Sequence, residues 1–294
     1  MDEGVEEVTA IPNGEVSASK FSTAFGRAGC GMKFYYRYIE GLRGPVTASL
    51  LAGIAFDRAT SQLHQYRMGV EMPTPDLEAA FVDAWENPDE ENRDGEPVEF
   101  DLSDAPSDIL ERGATALKTY EQQTEGMVVT DVQVKVEAAF EETDAKLIGF
   151  IDLVERIKPG EYAVTDVKTS LSSRKKWAAD EAVRDAQLNI YAVLWQNQNP
   201  TETVAALGWR HARLGGKVKV GATHVQMGDQ TPIMQRVSYW MGELERWCET
   251  GNFPATGLDK DAWVCSEKYC DYYNKCPYGR KAQQIIPITI GGIR

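Results

Sequence analysis

The sequence predicts a protein of the α/β or α+β class, in which helices cover a β-sheet. Three observations support this prediction. Residues 128–140 alternate apolar and polar side chains, which is typical of a half-buried strand. Residues 178–197 place apolar side chains such as Ile190 and Val193 along one helical face. More strands and another helix follow in the same stretch, so both kinds of element share one core.

The first 125 residues are predicted to be mainly helical. Residues 1–16 show no regular pattern, and we expect them to form a flexible tail. The region 17–125 contains helix candidates over 48–67 and 106–123. Residues 86–108 are rich in acidic residues, proline and glycine, which predicts a surface loop.

Residues 126–250 are predicted to form the core. Its strand candidates have alternating or continuous apolar side chains bounded by turn residues. They are residues 128–140, 146–157, 162–168, 203–214 and 217–227. The sequence Lys-Pro-Gly-Glu is a turn signal that joins the second and third strands into a hairpin. A helix over 232–249 closes the core, and the segment 251–294 contains three closely spaced cysteines.

Composition limits the class of protein. The chain has 294 residues, 43% hydrophobic and 26% charged, which is enough for a full core. Its formal net charge of −14 argues against a protein that coats nucleic acid, but not against an enzyme with a basic groove. No apolar run approaches about 18 residues, and the acidic N-terminus lacks the apolar core of a secretory signal. Five cysteines, an odd number, predict a reducing, cytosol-like compartment.

Two acidic residues lie inside apolar, strand-like runs on the two arms of the predicted hairpin. A buried carboxylate such as Asp152 or Asp166 is costly unless it is paired or bound to a cation. Cross-strand neighbours approach within about 5 Å, and two carboxylates that close repel each other. Mg²⁺ relieves this repulsion, since it prefers one or two carboxylates, water and phosphate oxygens. Lys168 shares a strand face with Asp166, and Glu137 on the preceding strand is a third acidic candidate.

Three short motifs resemble those of a known family. The motifs are "GFID" (149–152), "DVK" (166–168) and "QLNIY" (187–191). They resemble the PD-(D/E)XK nuclease superfamily, and its RecB-type branch of CRISPR-associated exonucleases and the AddB nuclease domain in particular. The resemblance implies a restriction-endonuclease-like core with a central mixed sheet flanked by helices.

The resemblance also implies a role for each matching residue. Asp152, Asp166 and the carbonyl of Val167 would bind Mg²⁺ or Mn²⁺, and Lys168 would position the attacking water. The other implied site residues lie on the neighbouring strand and helix. Glu137 would be a further catalytic acid, and Gln187 and Tyr191 would contact DNA or support the metal site.

One position departs from the family pattern. Family members often carry a metal-binding histidine where "GIAFD" (53–57) places Asp57. Aspartate also binds hard cations, so Asp57 would be a metal ligand that favours Mg²⁺. His64 is the alternative ligand, unless it is an ordinary core or surface histidine.

Four of the cysteines also match the RecB-type branch. In that branch one N-terminal and three C-terminal cysteines hold a [4Fe–4S] cluster that joins the chain ends. The matching residues here are Cys30, Cys265, Cys270 and Cys276. Four thiolates could equally hold Zn²⁺. Cys248 is predicted to be a buried thiol.

Local basic stretches are candidate DNA contacts. Arg174, Lys175 and Lys176 directly follow the predicted catalytic strand. The stretches 33–38 and 210–219 also carry basic residues, with aromatic residues among them in 33–38. Tyr191 is a further DNA-binding candidate.

Taken together, the sequence predicts a metal-dependent DNA exonuclease that hydrolyses phosphodiester bonds in recombination, repair or processing. We expect a cytoplasmic protein of a prokaryote or a phage-infected cell. The chain has no Walker pattern, so a separate helicase or recombination protein would supply any unwinding. The alternatives are a non-catalytic DNA-binding or scaffold protein, a zinc-stabilised endonuclease, and a redox iron–sulfur protein.

Overall fold

The computed structural model describes residues 11–26, 28–89, 98–140, 143–256 and 263–279. A six-stranded mixed sheet forms the centre, with helices on both faces, and a separate two-stranded pair lies beside it. The predicted mixed α/β class is therefore confirmed. Among the described residues, no helix is both long enough and apolar enough to span a membrane.

The N-terminal half contains the short strands and most of the helices. Its elements are β1 (Glu15–Ser17), α1 (Ala18–Phe25), α2 (Gly31–Phe34), β2 (Val46–Thr47), α3 (Ala48–Arg67), α4 (Leu77–Glu86), β3 (Phe100–Asp101) and α5 (Ile109–Gln123). A π-helical turn over Tyr35–Ile39 continues α2. Helix α3 spans its predicted range and is capped by Thr47, whose side chain accepts the N–H of Leu50.

The predicted flexible tail is wrong for its last residues. Ile11 is buried, and β1 pairs in parallel with a later strand through residues that include the fully buried Val16. Residues 1–10 lie outside the described part of the chain. So do residues 90–97 of the predicted acidic loop, and β3 forms within the loop's remainder.

The second half contains the long strands. Its elements are β4 (Val129–Phe140), β5 (Thr143–Lys158), β6 (Glu161–Ser170), α6 (Ala179–Arg184), α7 (Ala186–Gln198), β7 (Thr203–Arg213), β8 (Lys219–Gln226) and α8 (Thr231–Thr250). The helix predicted over 178–197 is two helices. Asp185 leaves the helical conformation, and its side chain caps α7 by accepting the N–H of Leu188.

The strand order creates a fork in the sheet. The order is β1-β5-β6-β7-β8, with β4 paired to β5. Strands β5 and β6 are antiparallel partners from Lys158↔Glu161 to Leu153↔Thr165. Beyond that point β5 pairs with β1, whereas β6 continues in parallel with β7. Asp152 and Asp166 are therefore the first residues past the point where the two strands separate.

Each face of the sheet has its own helices and its own apolar core. Side chains of α1, α7 and α8 pack together on one face with Val164, Leu207 and Trp209 of the sheet. Side chains of α3, α4 and α5 pack on the other face against residues such as Ala212 and Leu214. The fork is thus within reach of helices from both sides.

A buried ion pair links β5 to β7 near this fork. Glu155 is 7% exposed, and its carboxylate accepts two hydrogen bonds from Arg210, at 2.9 and 2.8 Å. His224 Nε2 lies 3.6 Å from the same carboxylate. Burial alone would raise the pKa of Glu155, but hydrogen bonds from His224 and Arg210 lower it to about 2.

We expect Glu155→Gln to reduce the free energy of unfolding by about 3–5 kcal/mol at pH 7, because it leaves Arg210 buried without its counter-charge. The folded pKa lies below the usual value, so the carboxylate stabilises the fold above about pH 4.3. The difference in free energy of unfolding between the parent and Glu155→Gln should therefore shrink as the pH falls towards about 2. Urea titrations of both proteins across this range measure it. Glu243→Gln breaks a partly exposed pair with Arg246 and is the control, expected to change stability by less than about 1 kcal/mol. Equal losses of stability in the two variants would contradict the assignment of Glu155 as the counter-charge that the buried Arg210 needs.

Candidate functional site

The fork itself explains why Asp152 points where it does. Since β6 loses its β5 partner there, the N–H of Val167 needs another acceptor. The Oδ2 atom of Asp152 accepts it at 2.7 Å. The N–H and C=O of a strand residue point towards the same neighbour, so the carbonyl of Val167 also faces the fork. Asp152 and the backbone of Val167 therefore meet at the fork, next to Asp166.

The α7 side of the fork carries a chain of polar contacts. Asp166 is 2% exposed, and its Oδ2 lies 2.6 Å from Nζ of Lys168. Gln187 donates from Nε2 to Oδ1 of Asp166 at 3.0 Å and to the hydroxyl of Tyr191 at 3.2 Å. Its Oε1 accepts from Lys168 at 3.4 Å. Gln187 therefore fixes the carboxylate and the ammonium relative to each other.

The other side of the fork brings in Asp57 from α3. The Nε2 atom of Gln133 lies 3.2 and 3.0 Å from the two carboxylate oxygens of Asp57, and 3.3 Å from Oδ1 of Asp152. One amide therefore joins the two carboxylates. Asp57 of α3 therefore lies within the same cluster as Asp152.

Gln133 is a site residue that sequence reasoning missed. The neighbouring pairs Val132↔Leu153 and Val134↔Ile151 place it opposite Asp152 on β4. Its φ is +51°, which is uncommon for a residue other than glycine and indicates a locally strained strand. In the sequence it is one polar residue of an alternating strand, and only its register against Asp152 distinguishes it.

The three carboxylates of this cluster have one nearby positive charge, that of Lys168. Burial, and then the charge of Asp166, raises the pKa of Asp57 to about 6. Burial and the charge of Asp57 raise the pKa of Asp152 to about 6. Burial raises the pKa of Asp166 to about 7 against the opposing charge of Lys168. Burial works against the Lys168 ammonium, but Asp166 more than offsets it, so the pKa of Lys168 is raised. A divalent cation would supply the missing positive charge.

The donor set fits a hard cation. Carboxylate and carbonyl oxygens are the ligands that Mg²⁺ and Mn²⁺ prefer. As the side chains stand, however, no group of three or more His, Cys, Asp or Glu within the described residues forms an arrangement that could hold a metal ion. A cation would have to draw Asp57 and Asp152 away from the Gln133 amide that now joins them.

Three of the candidate residues do not contact the acidic cluster directly. The carboxylate of Glu137 pairs with Lys135 at 2.9 Å and Lys146 at 3.2 Å. Glu137 is four residues from Gln133 along β4, roughly 13 Å at the rise of a strand, so the structure does not bring it to the cluster. His64 is fully buried, and its Nε2 lies 2.9 Å from the hydroxyl of Tyr120, so it is a core histidine and not the alternative ligand.

Tyr191 is the third of these residues. It is 7% exposed, and its ring occupies the space beside Gly149 that a Cβ atom would otherwise fill. Of the two roles predicted for it, the observed contact is the one with Gln187 beside the cluster. Its hydroxyl accepts a hydrogen bond from Gln187, and the missing side chain of Gly149 leaves space for its ring. The motifs at 149–152 and 187–191 are therefore in direct contact in the structure.

The four predicted cysteines meet at one cavity. Cys30 precedes α2, and Cys265, Cys270 and Cys276 belong to the C-terminal segment; all four line a small cavity of about 20 Å³. Burial raises the pKa values of the three C-terminal thiols, and the nearby thiol of Cys30 raises each of them further. Cys248 is fully buried in α8, as predicted.

Other contacts hold the two chain ends together beside this cavity. The hydroxyl of Tyr272 donates to the carbonyl of Leu42 at 2.8 Å, and that of Thr256 donates to Gly29 at 2.8 Å. Phe253 packs its ring on Tyr35 at 5.0 Å. These contacts hold the cysteine-bearing segments from the two ends of the chain against each other.

The basic stretches separate into surface and core. Arg174, Lys175 and Lys176 are exposed in the loop after β6. Arg210, in the second stretch, is instead held by Glu155 inside the protein. Tyr36, in the third, is buried against Tyr272 with ring centroids 5.4 Å apart.

Comparisons with known proteins agree with this geometry. The family model of the PD-(D/E)XK nuclease superfamily matches residues 15–277. A solved structure from Eubacterium rectale, described as a candidate exonuclease, is similar with a TM-score of 0.50 and 14% sequence identity over 89% of this chain and 91% of that one. The solved structure of SSO0001 has a TM-score of 0.36 and 15% identity over 84% and 93% of the two chains, too low a score to carry an argument. No curated protein sequence matches the chain.

The family match covers most of the chain and includes the fork with Asp152, Asp166 and Lys168. At 14% identity, the likeness to the Eubacterium rectale structure supports the fold alone. The chain belongs to the PD-(D/E)XK nuclease superfamily.

Proposed function

We propose that this protein is a metal-dependent deoxyribonuclease, acting as an exonuclease through a water activated by Mg²⁺ or Mn²⁺. One observation carries the proposal: the fork between β5 and β6 gathers Asp57, Asp152, Asp166 and Lys168 around one point. The description of the Eubacterium rectale protein as a candidate exonuclease supports the narrower assignment. DNA processing in recombination or repair, with a separate helicase, is the proposed setting.

Each residue would have a distinct part in hydrolysis. Asp57, Asp152, Asp166 and the carbonyl of Val167 would hold the cation. A bound divalent cation supplies a Lewis acid and lowers the pKa of a bound water. Lys168, held between Asp166 and Gln187, presents its ammonium to the water and to the charge that develops on the phosphate.

Asp166→Asn and Lys168→Met should each reduce the rate of DNA cleavage by roughly 10²–10³-fold or more, because each removes a charge aimed at the transition state. Cleavage of end-labelled single- and double-stranded DNA, with and without Mg²⁺, measures the effect. Glu137→Gln is the matched control, since it removes an acid from the neighbouring strand but outside the cluster. Normal cleavage by a folded Asp166→Asn protein would refute the proposed site and favour a DNA-binding or scaffold protein.

Asp57→Ala should raise the Mg²⁺ concentration needed for half-maximal cleavage by at least about tenfold, because it removes a ligand. Asp57→His should retain activity and shift the preference towards Mn²⁺, since imidazole suits softer ions. Cleavage rates measured at increasing Mg²⁺ or Mn²⁺ concentration give the half-maximal concentration and the metal preference. Calorimetric titration measures the affinity for Mn²⁺ directly. Glu86→Ala removes an exposed acid from α4 and is the charge control. If Asp57→Ala titrates like the parent, Asp57 lies outside the metal shell.

The cysteine cavity is proposed to hold a [4Fe–4S] cluster. Four thiols from both chain ends line it, and four thiolates are the usual ligands of such a cluster. As the side chains stand, no group of three or more cysteines within the described residues is arranged to hold a metal ion, so the proposal rests on the number of thiols and on the cavity that they share. A single Zn²⁺ is the alternative.

Protein purified without oxygen should be brown and contain about four iron atoms per chain. Cys30→Ser should remove the colour and lower the melting temperature, because it cuts a link between distant parts of the chain. Cys248→Ser, at a buried cysteine outside the cavity, should keep the colour. Iron analysis and visible absorbance check both. One tightly held zinc per chain would replace the iron–sulfur assignment, and no bound metal at all would remove it.

A further inference from the structure

We propose that a cleft beside Lys168 binds one unpaired nucleic-acid strand, and that two cations seated on tryptophan rings, Lys175 and Arg236, hold its phosphates. The inference rests on the proposed function, because it names the form of nucleic acid that reaches the site.

The cleft leads directly away from the candidate catalytic lysine. Its volume is about 1090 Å³, and Lys168 lines it. One wall consists of the end of β6, the loop after it and α6, and the other consists of α1 and α8. A chain lying in this cleft would therefore pass the Lys168 ammonium.

The first cation belongs to the loop after β6. Trp177 lies on the ring of His211, with centroids 4.6 Å apart and an interplanar angle of 13°. Its carbonyl accepts the hydroxyl of Thr223 at 3.0 Å. His211 is the β7 partner of Lys168, so this indole is anchored beside the catalytic strand. The Lys175 ammonium lies 5.7 Å from the Trp177 ring centroid.

The second cation belongs to the other wall. Trp240 of α8 stacks on Phe25 of α1, with centroids 5.2 Å apart and an interplanar angle of 1°. The guanidinium of Arg236, one helical turn away, lies 4.3 Å from the Trp240 centroid. Arg236 is nevertheless exposed to solvent. The aromatic pair holds an exposed, planar cation in place over the cleft.

A buried donor at the inner end also lacks an acceptor. Trp209 lines the cleft and is the β7 partner of Asp166. Its side chain is 4% exposed, and its indole N–H has no hydrogen-bond partner among the described residues. Buried donors are nearly always paired, so this N–H is able to donate to an acceptor that enters the inner end of the cleft.

The charge of the cleft differs from that of the whole chain. Four basic residues line it, Lys168, Lys175, Arg184 and Arg236, against three acidic ones. Asp180 pairs with Arg184, Lys168 pairs with Asp166, and Asp185 caps α7, which leaves the charges of Lys175 and Arg236 against that of Glu181. The chain as a whole carries −14. A local basic track among aromatic rings is the arrangement that binds unpaired strands, whose bases are free to stack.

Binding measured without divalent metal tests this inference independently of cleavage. The probe is a fluorescein-labelled 20-nucleotide single strand, with a duplex of the same length as the comparison, followed by anisotropy. We expect Lys175→Ala combined with Arg236→Ala to weaken single-strand binding at least tenfold. The salt slope should fall by about 0.7 for each phosphate that the variant no longer neutralises. Arg246→Ala is the control, because Arg246 is an exposed arginine of the same helix that pairs with Glu243 outside the cleft.

Three results would overturn the inference: single-strand affinity and salt slope unchanged in the double variant, equal losses of affinity for duplex and single strand, or no single-strand binding by the parent. If the parent binds the single strand as expected but cleaves no DNA with Mg²⁺ or Mn²⁺, the cleft stands and the proposed nuclease activity fails.

Discussion

The separation of β5 from β6 after Leu153 and Thr165 is the constraint on which the site depends. A continuous ladder would satisfy the N–H of Val167 within the sheet and leave no room between the strands. Because the ladder ends, Asp152 takes over as acceptor, and α3 and α7 on opposite faces reach the same point. A gap in the backbone pairing thus becomes the place where side chains from five elements meet.

The cluster of acidic side chains at the fork is a source of instability that the fold tolerates. Three carboxylates lie close together, and burial and mutual repulsion disfavour their charged forms. Gln133 and Gln187 donate hydrogen bonds to them, and Lys168 supplies one positive charge. Any cation bound by the folded protein alone would therefore also stabilise the fold. The Glu155–Arg210 pair, a few residues away, shows the opposite arrangement, since its charges are matched.

The parts of the fold that could be predicted are those in which neighbouring residues in sequence carry the signal. The long strands, α3 and the motifs around Asp152, Asp166 and Gln187 are local patterns, and the structure brings these three residues together. Contacts between distant segments were not predictable. Residues 15 and 16, which the sequence assigned to a flexible tail, form part of β1 because they pair with β5. The role of Gln133 depends on its register opposite Asp152, which the sequence does not show. The break between α6 and α7 at Asp185 is stabilised by the cap that its side chain gives α7. The spacing of apolar residues along the sequence does not reveal such a cap.

The union of the two chain ends has a consequence for how the protein is made. Leu42 and Tyr272 are 230 residues apart, and Gly29 and Thr256 are 227 apart. At a synthesis rate of about 5–20 residues per second, the C-terminal segment is synthesised roughly 10–50 s after the N-terminal segment that it contacts. During that time Phe34 and Tyr36, both buried in the finished protein, lack the rings of Phe253 and Tyr272. Native packing around Cys30 is therefore completed only after translation of the C-terminal segment, which makes it a late step of folding.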